Sequence, residues 1–295
     1  MSLLNLDVSS TNNSRQWAKI YFSVRFWLKN KFSKELYTFS DKDGPEIIIS
    51  LTTFSARIRS VYFAIESLFE QELPAHRIIL WLSKDEFSDL SKVPASLKRL
   101  QNRGLDIRFV DGNIKSYKKL IYALEEFPDA IIVTVDDDAF YYPYMLSGLM
   151  KAYEKLPNVI HCYKARKVTF SATGQLLPSR KWQGVDPGEK PSMSVLPIGV
   201  SGVLYPPNCL DQRVFDRDLF QSLTPSTDDI WFKAMSVLAR TPCLRITKHL
   251  DLPKVIGSQG VSLHEINNKH GENENDKQLD QVFKAFGFTA STFVD

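Results

Sequence analysis

Short β-forming apolar runs alternate with helical segments through most of the first half of this sequence. We predict strands at residues 46–54, 77–83, 106–112 and 130–135. Between them, apolar residues recur at helical spacing over residues 60–71 and 116–127. Strands that alternate with helices are typical of βαβ units, in which a helix connects two parallel strands. The pattern therefore predicts an α/β fold built on a mostly parallel sheet.

Three consecutive acids, Asp136, Asp137 and Asp138, follow the predicted strand at 130–135. In parallel sheets, ligands bind beyond the carboxyl ends of the strands, and these acids lie at such an end. One interpretation is a turn that caps the next helix, since Asp is favoured in both roles. The other is a site for Mg²⁺ or Mn²⁺, which bind carboxylate oxygens together with substrate phosphates. Either way, three adjacent carboxylates repel each other and require a positive charge nearby.

Three lysines, Lys115, Lys118 and Lys119, precede that strand and provide one source of positive charge. They form either a solvated helix face or the cations that hold a diphosphate. Other phosphate-binding motifs are absent from the sequence: there is no GxxxxGKS/T, and no GxGxxG follows the first strand. There is no GxSxG nucleophile elbow either. A diphosphate site in this chain would therefore depend on lysines and a metal ion rather than on a phosphate loop.

The composition narrows the class of protein. The chain of 295 residues is 43% apolar and 24% charged, which is typical of globular proteins, and its net charge of +3 is too small to suggest nucleic-acid binding. Its three cysteines are far apart and form no CxxC pair, which argues against a disulfide framework and fits a cytoplasmic protein. No apolar run approaches the roughly 20 residues that span a bilayer, and we expect no signal peptide.

Six segments in this order resemble a known family: IIISLTTF, RIILWLS, IRFVDG, KSYKKL, IIVTVDDD and TDDIW, between residues 46 and 240. The series resembles inverting glycosyltransferases of the GT-A fold, close to family 2. The resemblance implies a GT-A-like mixed sheet flanked by helices, and metal-dependent transfer of a sugar from a nucleotide-sugar donor, expected to be UDP-linked. The acceptor would be a hydroxyl of a glycan or glycolipid. Processive members carry a QxxRW motif and membrane helices, which this sequence lacks, so we expect non-processive transfer.

The resemblance also implies roles for single residues. Asp138 would bind the Mn²⁺ or Mg²⁺ ion and Asp137 the ribose of the donor. Asp229 would be the catalytic base, with Asp228 as the alternative. The remaining positions that we assign to nucleotide-sugar binding are Thr52, Thr53, Lys115, Lys118, Asp136, Ser201 and Gly202.

Two of these assignments compete with structural interpretations. Ser201 and Gly202 lie in PIGVSGVLYPP (197–207), which is either a strand with a bulge or a backbone segment that approaches the donor sugar or acceptor. His264, in the polar C-terminal region, is either a structural residue or a further metal ligand, because some GT-A enzymes use a C-terminal histidine in this way.

We predict three regions: an N-terminal tail and basic helix (1–45), the catalytic domain (46–245) and a C-terminal extension (246–295). Basic and aromatic residues alternate over residues 15–35, which predicts either a helix packed on the catalytic domain or one in peripheral contact with an anionic membrane.

Two functions other than glycosyl transfer are considered. A sugar-phosphate nucleotidyltransferase would carry a glycine-rich loop after the first strand, where SLTTFSARIRS has no glycine. A non-enzymatic carbohydrate-binding module would have little use for two acid clusters.

Overall fold

The strands predicted in the first half form the centre of the structure. The computed structural model describes residues 12–41, 44–247, 252–256 and 274–294. The strands are β1 (Ile47–Thr52), β2 (Arg77–Ser83), β3 (Asp106–Val110), β4 (Ile131–Thr134), β5 (Ile160–Cys162), β6 (Ala165–Lys167), β7 (Gln183–Gly184), β8 (Val195–Pro197), β9 (Val203–Tyr205) and β10 (Cys243–Arg245). The α-helices are α1 (Asn12–Phe32), α2 (Val61–Leu68), α3 (Ala95–Gln101), α4 (Lys118–Glu126), α5 (Met145–Lys155), α6 (Arg217–Leu223), α7 (Asp228–Leu238) and α8 (Glu274–Phe286).

Seven of these strands form one mixed sheet in the order β10-β5-β9-β4-β1-β2-β3. Strands β3, β2, β1 and β4 are parallel neighbours, as are β5 and β10. Strand β9 runs antiparallel to both β4 and β5. Strands β7, β6 and β8 form a separate small antiparallel sheet. The predicted α/β class, with a mixed and mostly parallel sheet flanked by helices, is confirmed.

Both faces of the large sheet are buried, which explains the almost uninterrupted apolar runs of its central strands. In β1, Ile49 and Leu51 face a core formed with α2, α3 and α5, whereas Ile48 faces a core formed with α4, α7 and α8. This alternation follows from the two-residue period of a strand. Trp231 in α7 is 0% exposed and belongs to the second of these cores.

Helix α1 packs on α2 and α3. Phe22 and Phe26 stack on Phe140, with ring centroids 5.5 and 5.7 Å apart respectively. The amide of Asn30 donates a hydrogen bond to the buried carboxylate of Glu66 (3.0 Å). The inward face of α1 therefore belongs to the protein core. None of the helices in the described ranges is both long and apolar enough to cross a membrane.

A buried ion pair beside α1 gives a testable prediction of stability. The guanidinium of Arg103 donates to both carboxylate oxygens of Glu66 (2.6 and 3.1 Å), and both side chains are almost fully buried. Replacing Arg103 by Met leaves the Glu66 charge buried without its main partner, so we expect the free energy of unfolding to fall by about 3–5 kcal/mol. Urea denaturation measures this. The exposed pair Lys84–Asp111 provides the control, since Lys84→Met should cost less than about 1 kcal/mol. Equal losses in the two variants would contradict the prediction.

Candidate active site

The three adjacent acids lie in the loop that follows β4, at the carboxyl edge of the central parallel strands. Asp137 and Asp138 are buried, and Asp136 is partly buried. The main chain of Asp136 is fixed by Tyr141, whose hydroxyl accepts a hydrogen bond from the Asp136 N–H (2.7 Å). Each of the three carboxylates contacts a cationic side chain, which accounts for their close approach.

Asp137 is held by two residues from the loop after β1. The hydroxyl of Thr53 donates to Asp137 Oδ2 (2.6 Å), and Arg57 Nη1 donates to Asp137 Oδ1 (2.7 Å). Burial raises the pKa of Asp137 above its usual value, while the charge of Arg57 opposes that rise. The structure thus brings two of the predicted site residues, Thr53 and Asp137, into direct contact, and adds Arg57, which we did not single out from the sequence.

Asp138 is paired with a lysine from the C-terminal part of the chain. Lys254 Nζ lies 3.1 and 3.2 Å from the two carboxylate oxygens of Asp138, and Arg57 Nη1 lies 3.6 Å from Oδ2. The main chain of residues 252–256 runs beside the acid loop, where the Val255 N–H donates to the Asp138 carbonyl (2.9 Å) and the Phe140 N–H to the Pro253 carbonyl (2.9 Å). The ammonium group of Lys254 therefore neutralises the Asp138 carboxylate.

Lys119 joins the two acid clusters predicted from the sequence. Its Nζ lies 2.8 Å from Asp136 Oδ1 and 3.1 Å from Asp228 Oδ2. Burial by itself would lower the pKa of Lys119, but the nearby charges of Asp136, Asp228 and Asp229 raise it well above its usual value. Burial likewise opposes ionisation of Asp136, and the charge of Lys119 brings the pKa of Asp136 below its usual value. Lys119 is therefore a permanent cation between β4 and α7.

Asp229 lies in the first turn of α7, where the helix dipole favours an ionised carboxylate. Its Oδ2 accepts a hydrogen bond from the Gly199 N–H (3.3 Å). Burial and the neighbouring charge of Asp228 nevertheless raise the pKa of Asp229 to about 7. A carboxylate with a pKa near the working pH is well suited to exchange a proton with a substrate, because both of its protonation states are accessible.

Gly199 approaches the acids more closely than the glycine chosen from the sequence. A Cβ at Gly199 would lie 3.1 Å from Lys119 Nζ and 3.3 Å from Asp229 Oδ1. Gly202 has a φ of +97°, and a Cβ there would lie 3.1 Å from the sulfur of Met145 in α5. Ser201 is buried in the turn between the two glycines. Both glycines of the segment are thus sterically constrained, and donor contact by Ser201 or Gly202 stays a prediction.

The other predicted nucleotide-binding residues lie next to this cleft without contacting the acids. Thr52 donates its hydroxyl proton to the Trp81 carbonyl (2.8 Å), and Lys115 Nζ donates to the Pro225 carbonyl (3.1 Å). Lys118 is 1% exposed, and its Nζ donates to Asn113 Oδ1 (2.7 Å).

The surroundings of Lys118 change its titration. Burial lowers the pKa of Lys118 to about 8, although the charges of Glu86 and Asp85 oppose this shift. Lys118 therefore lies beside the residues that follow β2 and β3, whereas Lys119, the next residue, reaches the acids.

The side chains around Asp138 provide only part of a binding site for a small hard cation. His264 lies outside the described residues. Within the described ranges, no three His, Cys, Asp or Glu side chains form a metal-binding group. Asp138 supplies two hard oxygen donors at the cleft, and Mg²⁺ is often held by one or two carboxylates and substrate phosphates. Such an ion fits at Asp138 if Lys254, which now contacts both oxygens, moves away.

Comparisons with known proteins give weak similarities. No family model matches the chain. A D-alanine–D-alanyl carrier protein ligase from Listeria monocytogenes serotype 4a (strain HCC23) is 27% identical over 177 residues, which cover 58% of this chain and 32% of the ligase. The chain thus spans about a third of the length of the curated relatives it matches.

Two solved structures illustrate the likeness in structure. A mannosyltransferase from Pyrobaculum calidifontis, in complex with GDP-Man and Mn²⁺, aligns with a TM-score of 0.48 and 14% identity, over 94% of this chain and 75% of the enzyme. A UTP-bound UGPase from Acinetobacter baumannii aligns with a TM-score of 0.41 and 10% identity, over 80% of this chain and 99% of the enzyme. Because both TM-scores are below 0.5, these similarities do not assign a function to the chain, and the site is the basis for the proposal that follows.

Proposed function

We propose that this protein transfers a sugar from a nucleotide-sugar donor, expected to be UDP-linked, to a hydroxyl group of a glycan or glycolipid. Transfer would proceed with inversion and without processivity. One observation carries the proposal: Lys119 brings Asp136 of the β4 loop and Asp228 of α7 together in one cleft, with Asp229 beside them. In a cleft with two separate carboxylate clusters, one cluster can bind the donor while the other accepts the proton of the acceptor hydroxyl.

Asp229 is the catalytic base in this proposal. Its carboxylate takes the proton of the acceptor hydroxyl while that oxygen forms a bond to the anomeric carbon of the donor. The bond between the anomeric carbon and the diphosphate oxygen breaks, and its electron pair leaves with the diphosphate. Attack on the face opposite the leaving group inverts the anomeric centre. The pKa of about 7 for Asp229 allows it to be ionised before this step at neutral pH.

The acids after β4 bind the donor in this proposal. Asp137, fixed by Thr53 and Arg57, would accept hydrogen bonds from the ribose hydroxyls. Asp138 would hold Mn²⁺ or Mg²⁺, which as a Lewis acid would offset the charge of the departing diphosphate. Lys115, Lys118 and Thr52 would contact the nucleotide at the adjoining strand ends. If the acceptor is a glycolipid, the protein must also reach a membrane, for which residues 15–35 are the proposed contact.

A thermal-shift screen of nucleotide sugars with and without Mn²⁺ tests the proposal. A specific donor at a hundredfold excess over its dissociation constant should stabilise the fold by about 2.7 kcal/mol, and the best donor should then support transfer. The alternative activities give different products. A sugar-phosphate nucleotidyltransferase would release pyrophosphate from a nucleoside triphosphate, and a carbohydrate-binding module would bind glycans without any donor cleavage. Either result would contradict glycosyl transfer.

The unusual pKa of Lys118 gives a pH-dependent prediction for donor binding. If Lys118 binds the donor as a cation, Lys118→Ala should weaken donor binding roughly 10–150-fold, because a hydrogen bond to a charged group contributes about 1.5–3 kcal/mol. Acceptor binding should change less. Since Lys118 loses its proton as the pH rises through about 8, wild-type donor affinity should fall between pH 7 and 9. Calorimetric titration with the donor measures both effects.

The exposed residue Lys84 provides a control, because Lys84→Ala should retain both the donor affinity and its pH dependence. Equal losses of donor and acceptor binding in Lys118→Ala, or no loss of either, would count against a donor-binding role for Lys118.

A further inference from the structure

A groove of about 720 Å³ lies between α1, α3 and the loop that follows β1. Four cationic side chains line it: Lys31 from α1, Arg59 from the loop, Lys92, and Arg99 from α3. Among the described residues that line the groove there is no Asp or Glu. Hydroxyl groups and aromatic rings make up much of the remaining wall, including those of Ser55, Ser91, Ser96, Trp27 and Tyr62.

In the described part of the chain, the cations of this groove contact mainly uncharged groups, although the carboxylate of Asp89 interacts electrostatically with Lys92. Arg99 donates to the Asn30 carbonyl and to Asn30 Oδ1 (both 2.9 Å), which are uncharged acceptors. Lys31 lies over the Trp27 ring, 5.1 Å from its centroid. No ion pair of the described residues includes any of the four cations that line the groove. Clustered cations with free donors are suited to a phosphate group, which accepts several charge-assisted hydrogen bonds.

The outer face of α1, next to this groove, is apolar and exposed. Its members recur at helical spacing and are Trp17, Ile20, Tyr21, Val24 and Leu28. Trp17 is 71% exposed, although tryptophan is highly buried on average. Residues 12–32 contain no Asp or Glu but five basic residues, of which Arg25 and Lys29 pair with Glu70 after α2. Apolar and aromatic side chains flanked by lysine and arginine are typical of helices that lie in the interface of an anionic membrane.

We propose that the outer face of α1 docks on an anionic bilayer and that the groove binds the phosphate of a lipid headgroup. The four cations complement the negative charge of that phosphate. The apolar face of α1 complements the adjacent acyl chains of the lipids. An anionic surface attracts such residues over about a Debye length. This docking depends only on α1 and the groove. That the lipid also presents the sugar acceptor rests on the proposed glycosyl transfer.

The groove shares a loop with the acid cleft, which explains how a docked lipid could bring an acceptor to the site. Thr53 and Arg57 contact Asp137 on one side of the loop after β1, while Ser55 and Arg59 line the groove on the other. The inward face of α1 stacks on Phe140, two residues beyond Asp138. A phosphate bound in the groove would therefore lie close to the loop that holds the donor-binding acids.

Vesicle co-sedimentation tests the proposal with the full chain. The wild type should bind vesicles that contain phosphatidylglycerol at least tenfold more tightly than vesicles of phosphatidylcholine alone. The double variant Arg59→Gln/Lys92→Gln should lose about thirtyfold in affinity for the anionic vesicles, since it removes two cations near the surface. The charge-matched control Lys277→Gln/Lys284→Gln alters exposed residues of α8 and should stay within twofold of the wild type. An equal loss in the control would show an effect of net charge alone and would overturn the proposal.

Two further measurements distinguish membrane docking from binding of a soluble phosphate in the groove or of a second copy of the chain on α1. If glycerol phosphate stabilises the wild type but not Arg59→Gln/Lys92→Gln, while no vesicles bind, the groove binds a soluble phosphate and membrane docking is refuted. Trp17→Ser/Leu28→Ser should abolish vesicle binding and leave the melting temperature within a few degrees, because both side chains are exposed. If it instead converts a dimer to a monomer in light scattering, the face binds a second copy and the proposal fails. Vesicle binding without any sugar transfer would refute the proposed function and leave this docking intact.

Discussion

Replacing Asp229 by Asn is expected to lower turnover by roughly 10²–10⁴-fold, the contribution that a positioned general base usually makes. Asparagine keeps the size of the side chain and can still accept the Gly199 hydrogen bond, but it cannot take a proton. Donor and Mn²⁺ should bind to Asp229→Asn about as well as to the wild type, because the acids that we assign to the donor belong to the β4 loop. Single-turnover kinetics together with calorimetric binding separate the two effects.

The pH dependence gives an independent signature of the same role. A base must be ionised, so wild-type kcat/KM should fall as the pH drops below the raised pKa of Asp229, about 7. Asp218→Asn, an exposed acid in the first turn of α6, is the matched control and should retain the activity and the profile of the wild type. If Asp229→Asn turns over normally while donor affinity collapses, Asp229 is a binding residue and the base lies elsewhere.

The central fold was predictable because its signal is local. Strands β1 to β4 each lie within a predicted strand, since buried parallel strands are continuous apolar runs bounded by turn residues. Strands β5, β9 and β10 have only three residues each. For β9 a strand was one of two interpretations of residues 197–207, and for β5 and β10 nothing in so short a run indicates a strand. They become strands through pairing with each other and with β4, which depends on the tertiary structure.

The site was predictable to a smaller extent. The acids stand out because three adjacent carboxylates are chemically unusual. Among their partners, Thr53 and Lys119 belong to segments singled out from the sequence, whereas Arg57 and Lys254 do not. Lys119 differs from Lys118 only in orientation, which is set by the turn at Lys115–Tyr117 before α4. Lys254 lies 116 residues from Asp138 in the sequence, and no local pattern connects them. Gly199 and Gly202 occur in one segment, and only the packing shows that Gly199 adjoins the acids.

Replacing Asp138 by Asn should abolish Mn²⁺-dependent donor binding, whereas removing its lysine partner should strengthen the binding of the ion. Asn at position 138 loses the negative charge of the proposed ligand. We expect a loss of at least tenfold in Mn²⁺ affinity, since even the partners that merely orient metal ligands contribute roughly 10–100-fold. Lys254→Gln removes the cation that now contacts both oxygens of Asp138, so an incoming ion no longer competes with an ammonium group.

Calorimetric titration with Mn²⁺, followed by the donor, distinguishes the two variants. Asp211→Asn is the control, because that carboxylate pairs with an exposed Arg213 and should not affect the ion. Unchanged Mn²⁺ affinity in Asp138→Asn would show that the ion binds elsewhere. If Lys254→Gln instead loses donor affinity without any gain in Mn²⁺ affinity, Lys254 is itself the cation that holds the diphosphate. The same ammonium group would then neutralise Asp138 in the free protein and the phosphates in the complex.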